Sequence, residues 1–375
     1  MTTQIGADAA GLVRYTVAMK LDSRTWFGCA VSFAAFLCAA ATPLKPGERV
    51  VFYPTLGWPV PGGWEVEIHG CIYEPEHRAM TVPLLRRSLG LDEEELTPAE
   101  KAVFRDRARL FLVDHQDDRT VTIRLAGQSH ALPASSANGH FVQSLAVGSN
   151  AVRATADRAN CLRFETAPPS VHEPVVTGEI HLLSEAGLSV ISDLDDTIKV
   201  SDVRDRRELL RNTLCRPFKS VDGMAAVYRA WATNRGAQFH YVSASPWQLY
   251  LPLAEFVQSN GFPAGSFHLR NCRVKDGTFL ELFKSPEGYK PGVIEPMLKR
   301  LPDRRFVLVG DSGESDPEIY AALARKYPRQ IVRILLRDVT GERVGAPRYQ
   351  RVFGGLPGEL WRVFREPAEI EKLVP

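Results

Sequence analysis

Beyond residue 180 the chain alternates short apolar strands with helical segments, and this pattern constrains its fold more than any other feature. Segments 190–192, 238–243, 267–269, 305–310 and 331–337 read as strands, and 223–234, 248–260 and 317–326 as helices between them. Alternation of this kind predicts an α/β domain with a parallel sheet and helices on both faces. Ligands of such sheets bind outside the carboxyl ends of the strands. The residues that follow each strand are therefore the first place to look for chemistry.

Those strand ends carry a coherent set. After the first strand comes Asp193-Leu194-Asp195-Asp196-Thr197, three carboxylates in four positions followed by a hydroxyl. Crowded carboxylates repel unless a cation or a proton relieves them. Alone, the cluster reads either as a metal-assisted site with a carboxylate nucleophile or as an acidic turn capping the next helix. The second strand ends in Ser243-Ala244-Ser245-Pro246-Trp247, a later segment brings Tyr289-Lys290, and 310–316 (GDSGESD) delivers a further acidic group. Carboxylates, a hydroxyl and a lysine suit phosphoryl transfer, which needs a nucleophile, a divalent cation and donors for the phosphate oxygens. Mg2+ favours hard carboxylate oxygens of this type.

In this order the four segments resemble the haloacid dehalogenase superfamily of phosphatases over roughly residues 186–340. More narrowly, 192–199 (SDLDDTIK), 239–250 (FHYVSASPWQLY) and 310–320 (GDSGESDPEIY) resemble the actin-patch phosphatidate phosphatase family. The resemblance implies a Rossmann-like sheet of haloacid dehalogenase type, with Asp193 as the nucleophile forming an aspartyl-phosphate. Asp195 would serve as general acid and base, its carbonyl helping to hold Mg2+, and Thr197 would hold the turn. Ser243 would bond a phosphate oxygen and Lys290 would neutralise nucleophile and phosphate. Asp311 would complete the metal ligands with Asp193 and Asp195, supported by Asp316. Lys284 competes with Lys290, which is preferred because it opens the helical run 292–300, although Pro291 and Pro296 make that helix unusual. Ala244 stands where relatives are expected to carry Asn, and Asp196 is expected to cap the next turn.

Residues 43–180 form a second region, β-rich, with strands expected at 64–73, 120–125, 141–147, 162–164 and 178–183. Thr97-Pro98-Ala99-Glu100 is a capping box with proline at the first helical position, starting a helix to about 113. The set suggests a small sandwich with a helical insertion. A break at 167–170 (APPS) separates it from the phosphatase-like domain 181–375. His69, His77, His115, His130 and His140 are read as surface or structural groups.

Residues 1–42 form a leader. Its stretch 26–42 has no charge, follows Lys20 and Arg24, and ends in three alanines like a signal-peptidase site. The reading taken is export or anchoring in the cell envelope; the alternatives are a buried core helix and a cytoplasmic protein. Cys29 and Cys38 lie inside this run. The other cysteines show no zinc-ligand spacing, and Cys215 with Cys272 is open between a disulfide and free thiols.

Hydrophobic residues make up 45% and charged residues 24%, with a net charge of +2. That is an ordinary globular composition with no bulk charge to attract nucleic acid. The intervals between motifs are too short for a large lid domain, so the site is expected to be open to a bulky substrate such as a lipid headgroup at a membrane or a polymer end; the resemblance implies phosphatidate or a similar lipid phosphate. Arg204, Arg206, Arg207, Arg211 and Lys219 either attract an anionic membrane surface or form a helix face balanced by Asp202, Asp205 and Glu208. Trp247 and Tyr250 either dip into an interface or pack against the strand. Two alternatives stay open: a phosphatase for soluble or polynucleotide phosphates, and a non-catalytic binding protein with a relic phosphatase domain.

Overall fold

The computed structural model describes residues 4–7, 13–16, 42–75, 81–157, 159–167, 174–271 and 288–375. The apolar stretch 26–41, His77, Lys284, Cys272 and most of the break at 167–170 lie outside them. Residues Met1–Ala41 form one unit, in which Gln4–Ala7 pairs antiparallel with Val13–Thr16. Thr42–Pro375 forms the other. No helix among the described residues is long and apolar enough to cross a membrane.

In the β-rich region, hydrogen bonds join nine of the described strands into one sheet, and Thr42–Pro43 pairs separately with Arg119–Thr120. Its longest strand, Gly63–Glu74, buries Val66, Ile68, Gly70 and Ile72 on one face, the period-two alternation expected of it. His140–Gly148 pairs antiparallel along its whole length. Arg49–Tyr53 and Thr55–Val60 share its other edge. The strand expected at 120–125 is broken at Val121 into Arg119–Thr120 and Thr122–Leu125. Thr177–Leu182 pairs parallel with Thr55–Val60, a non-local contact that no hairpin signal announces. Phe52, Phe141 and Phe164 meet edge to face in the core, with the Phe52 and Phe164 rings 4.8 Å apart.

The second sheet has six strands, numbered here β1 (Gly187–Ser192), β2 (Gln238–Pro246), β3 (Gly265–Arg270), β4 (Arg304–Asp311), β5 (Ile331–Arg337) and β6 (Trp361–Phe364). Every pairing is parallel, in the order β3-β2-β1-β4-β5-β6. This is a doubly wound order whose direction reverses between β1 and β4, where a ligand crevice is expected. As central strands, β1 and β4 are buried on both faces, which explains their nearly continuous apolar runs. The region is thus α/β, as its alternation implies.

The helix that starts at the capping box, α1 (Pro98–Phe111), forms as expected. The Glu100 amide donates to Thr97 Oγ1 at 3.2 Å, and Glu100 Oε2 accepts from the Thr97 amide at 3.0 Å. It does not pack into the core of the nine-stranded sheet. Phe104, Ala108 and Phe111 instead share a core with Leu194, Ile198, Trp247 and Leu249, and with Leu210 and Leu214 of α2 (Arg206–Leu214). Burying the two phenylalanines contributes about 1.5–3 kcal/mol each. Arg107 clamps the same contact, donating to the Thr213 carbonyl at 2.7 Å and lying 3.8 Å above the Phe218 ring. A helix of the β-rich region thereby braces the segment that follows the first acidic motif.

Candidate active site

The main-chain ladder carries β1 one residue beyond its end, with the Asp193 amide donating to the Val309 carbonyl at 2.9 Å. The Asp193 carboxylate consequently sits at the switch point, buried at 1% exposure. Asp196 makes the tight turn that follows. It adopts a left-handed conformation with φ 50°, and its side chain accepts from the amides of Ser201, Asp202 and Val203 at 2.7–3.0 Å. Asp196 is thus a turn cap, and Thr197 is returned to the site, donating to Asp193 Oδ2 at 3.3 Å.

Lys290 enters from the first turn of α3 (Tyr289–Arg300), which continues through Pro296. Its ammonium lies 3.0 Å from Asp193 Oδ1 and 3.8 Å from Glu314 Oε2, and it also bonds Asp316 Oδ1. Burial alone would lower its pKa, but the Asp193 and Asp316 carboxylates override this and raise it well above the usual lysine value. The lysine is therefore a fixed positive charge.

The third acidic group follows β4. Asp311 Oδ1 accepts from the Gly313 amide at 2.6 Å and the Glu314 amide at 3.2 Å. Asp316 opens α4 (Asp316–Lys326) and accepts from the Asp311 amide at 3.3 Å. Gly310 makes this approach possible, because a Cβ there would collide with the Asp316 carboxylate. Burial raises the pKa of Asp193 and of Asp311 well above the carboxylate range, and Asp316 adds to both. Glu314 is pushed up to about 7, again chiefly by burial.

Asp193, Asp311 and Asp316 each offer an oxygen within 4.8 Å of the others. One lysine does not balance this charge, and Asp311 Oδ2 is buried without a hydrogen-bond partner among the described residues. An orphaned carboxylate oxygen amid hard oxygen donors fits a small divalent cation such as Mg2+. The Asp195 side chain is not part of this group.

Asp195 has its own environment. Lys199 lies 2.6 Å from Oδ1 and Ser201 donates to the same oxygen at 2.7 Å. Ser243 and Ser245, at the end of β2, donate to Oδ2 at 3.1 and 3.0 Å. Burial would raise its pKa, but the Lys199 charge and these hydrogen bonds outweigh it and hold the carboxyl at about 2. The structure therefore brings together Asp193, Asp195, Thr197, Ser243, Lys290, Asp311 and Asp316. It adds Lys199, Ser201, Ser245 and Glu314, which motif reading passed over. A lysine buried at 1% exposure seven residues past the strand leaves no mark in sequence beyond its place at the end of segment 192–199.

Other expectations resolve on the same face. Arg211 bonds Glu100 at 3.0 Å and Arg207 pairs with Glu95, so two of the five basic residues are neutralised within the chain. Trp247 is buried, its ring tilted against that of Tyr53 with centroids 4.0 Å apart, and Tyr250 packs edge to face on Phe267. His69 and His140 form a buried to half-buried pair at 3.0 Å. Cys71, Cys161 and Cys215 are free and buried.

A doubly wound parallel sheet with a buried centre of carboxylates and a lysine at its switch point defines the class of α/β protein to which this region belongs. Its particular kinship comes from comparison with known proteins. Residues 188–338 match the family described as phosphatidate phosphatase APP1, catalytic domain. The phosphatidate phosphatase APP1 of Saccharomyces cerevisiae is 34% identical over 193 residues, 51% of this chain and 32% of that protein. An uncharacterized protein of Schizosaccharomyces pombe is 34% identical over 176 residues, 46% of this chain and 28% of that protein. The chain spans about a third of the length of these curated relatives. The parallel-sheet region is thus similar to an APP1 phosphatidate phosphatase catalytic domain, as its three motif segments suggest.

Proposed function

We propose that the protein is a Mg2+-dependent phosphatase of haloacid dehalogenase type that hydrolyses phosphatidate to diacylglycerol. The observation that carries this reading is the buried Asp193 carboxylate, 3.0 Å from Lys290 among three clustered carboxylates, with an oxygen of Asp311 that has no partner among the described residues. The similarity to the yeast phosphatidate phosphatase supports the substrate.

Asp193 attacks phosphorus, the bond to the leaving oxygen breaks, and that oxygen takes a proton from Asp195. Water then attacks the aspartyl-phosphate, Asp195 accepts the water proton, and inorganic phosphate leaves. Lys290 holds Asp193 in place and balances phosphate charge, while the Ser243 and Ser245 hydroxyls, which donate to Asp195 at rest, turn to phosphate oxygens when substrate binds. Mg2+ held by Asp193, Asp311, Asp316 and the Asp195 carbonyl would supply charge neutralisation. At rest Asp195 is ionised; a phosphate dianion brought against it opposes that charge and raises its pKa, as the acid role requires. The test is a substrate panel on the full chain with Mg2+, comparing phosphatidate in mixed micelles with sugar phosphates and nucleotides. Phosphatidate should have the highest kcat/KM; preference for the soluble compounds would remove the lipid assignment and leave the chemistry.

A further inference from the structure

Beside Asp195 a narrow cleft runs away from the acidic centre. Asp195, Ser245 and Glu314 form its polar end. Its walls are Phe111 of α1, Val203, Leu209 and Leu214, and Pro246 with Leu249 beyond β2. One polar side chain interrupts this apolar lining. Thr213 is only 5% exposed, and its hydroxyl has no hydrogen-bond partner among the described residues. Valine would fill the same space without burying a hydroxyl, so an unpaired hydroxyl on a residue that lines a cleft is a donor left available to what binds there.

We infer that this cleft receives the ester-linked part of the substrate's leaving group. The Thr213 hydroxyl donates to an acyl ester carbonyl, and the adjoining methylenes lie against Phe111, Leu209 and Leu214. The inference rests on the phosphatase reading above: if Asp195 protonates the leaving oxygen, whatever is bonded to that oxygen begins at the polar end of this cleft. A cavity of about 40 Å3 admits only a few heavy atoms, so the recognised portion is the ester and its first methylenes. One acceptor flanked by methylenes matches a wall with one donor among apolar side chains. Phe111 lies outside the segment 188–338 that matches the catalytic domain, so part of the specificity wall comes from the helix that braces it.

The test compares diacyl phosphatidate with its dialkyl-ether analogue, which lacks the carbonyls, in the same mixed micelles with Mg2+. The full-length wild type should favour the diacyl substrate about three- to tenfold in kcat/KM, the scale of one neutral hydrogen bond. Thr213→Ser should keep the preference, and Thr213→Val should bring the ratio to about one. A purely structural effect of the valine would slow both substrates together and leave the ratio unchanged. A wild-type ratio of one, or the same ratio in wild type and Thr213→Val, overturns the inference. Turnover of a soluble aryl phosphate by wild type and Asp193→Asn is measured alongside. Equal rates there would remove the phosphatase reading and this inference with it; unequal rates with an unchanged diacyl-to-ether ratio would remove the inference alone.

Discussion

Asp311→Asn should make the metal-free protein more stable. In the wild type this carboxylate is fully buried, one of its oxygens has no partner among the described residues, and Asp316 adds like charge nearby. Asparagine keeps the oxygen that accepts from the Gly313 and Glu314 amides and removes the charge. The relief is worth about 1–3 kcal/mol, the desolvation cost of an unsatisfied buried group. At about 2.1 cal/mol/K of unfolding entropy per residue, the unit Thr42–Pro375 gains about 1–4 °C in Tm. The pH dependence follows from the raised folded pKa. Below the ordinary carboxylate range Asp311 is protonated in both states and costs nothing; as pH rises the cost grows until the folded pKa is passed. The advantage of Asp311→Asn is therefore larger at pH 8 than at pH 5. If Asp311 is a Mg2+ ligand, as proposed, Mg2+ at a hundredfold excess over Kd stabilises the wild type by about 2.7 kcal/mol and offsets most or all of this advantage, while the variant gains less. Thermal melts in EDTA and in Mg2+ at the two pH values read all of this. A variant less stable than wild type in EDTA, or shifted equally by Mg2+, would refute the reasoning.

Two further outcomes follow from the same geometry. Lys199→Met leaves Asp195 buried without its counter-charge and should cost about 3–5 kcal/mol in urea unfolding at pH 7. Because the folded pKa of Asp195 is depressed to about 2, the pair's contribution is present above about pH 4 and is lost as pH falls toward 2, so the gap between wild type and variant should narrow in acid. Gly310→Ala drives a methyl group into the Asp316 carboxylate and should abolish both the Mg2+-dependent rise in Tm and phosphatase activity. A variant that retains both would show that Asp316 tolerates displacement.

Much of this was legible in the sequence because the strands of the parallel sheet are buried on both faces. A strand such as β4 must be apolar almost throughout and then turn polar at its tip, which marks both the element and the candidate site. The preference for Lys290 rested on its place at the start of a helix, and α3 does begin one residue before it. What stayed hidden depends on tertiary contact. Lys199 reaches Asp195 only because Asp196 adopts a left-handed turn, a conformation that its residue type permits without announcing. The packing of α1 is likewise unreadable from its own amphipathic pattern, which says that one face is buried and not against what. The parallel pairing of Thr177–Leu182 with Thr55–Val60 joins residues more than a hundred positions apart, beyond any local signal.

The most direct measurement is phosphomonoester turnover by the full chain with Mg2+, wild type against Asp193→Asn, with a thermal melt of each. If Asp193 is the nucleophile, the asparagine variant loses about a thousandfold or more in kcat while its melting temperature in EDTA is undiminished, since a buried charge beside Asp311 and Asp316 has been removed. Equal turnover by the two proteins would contradict the assignment of the site.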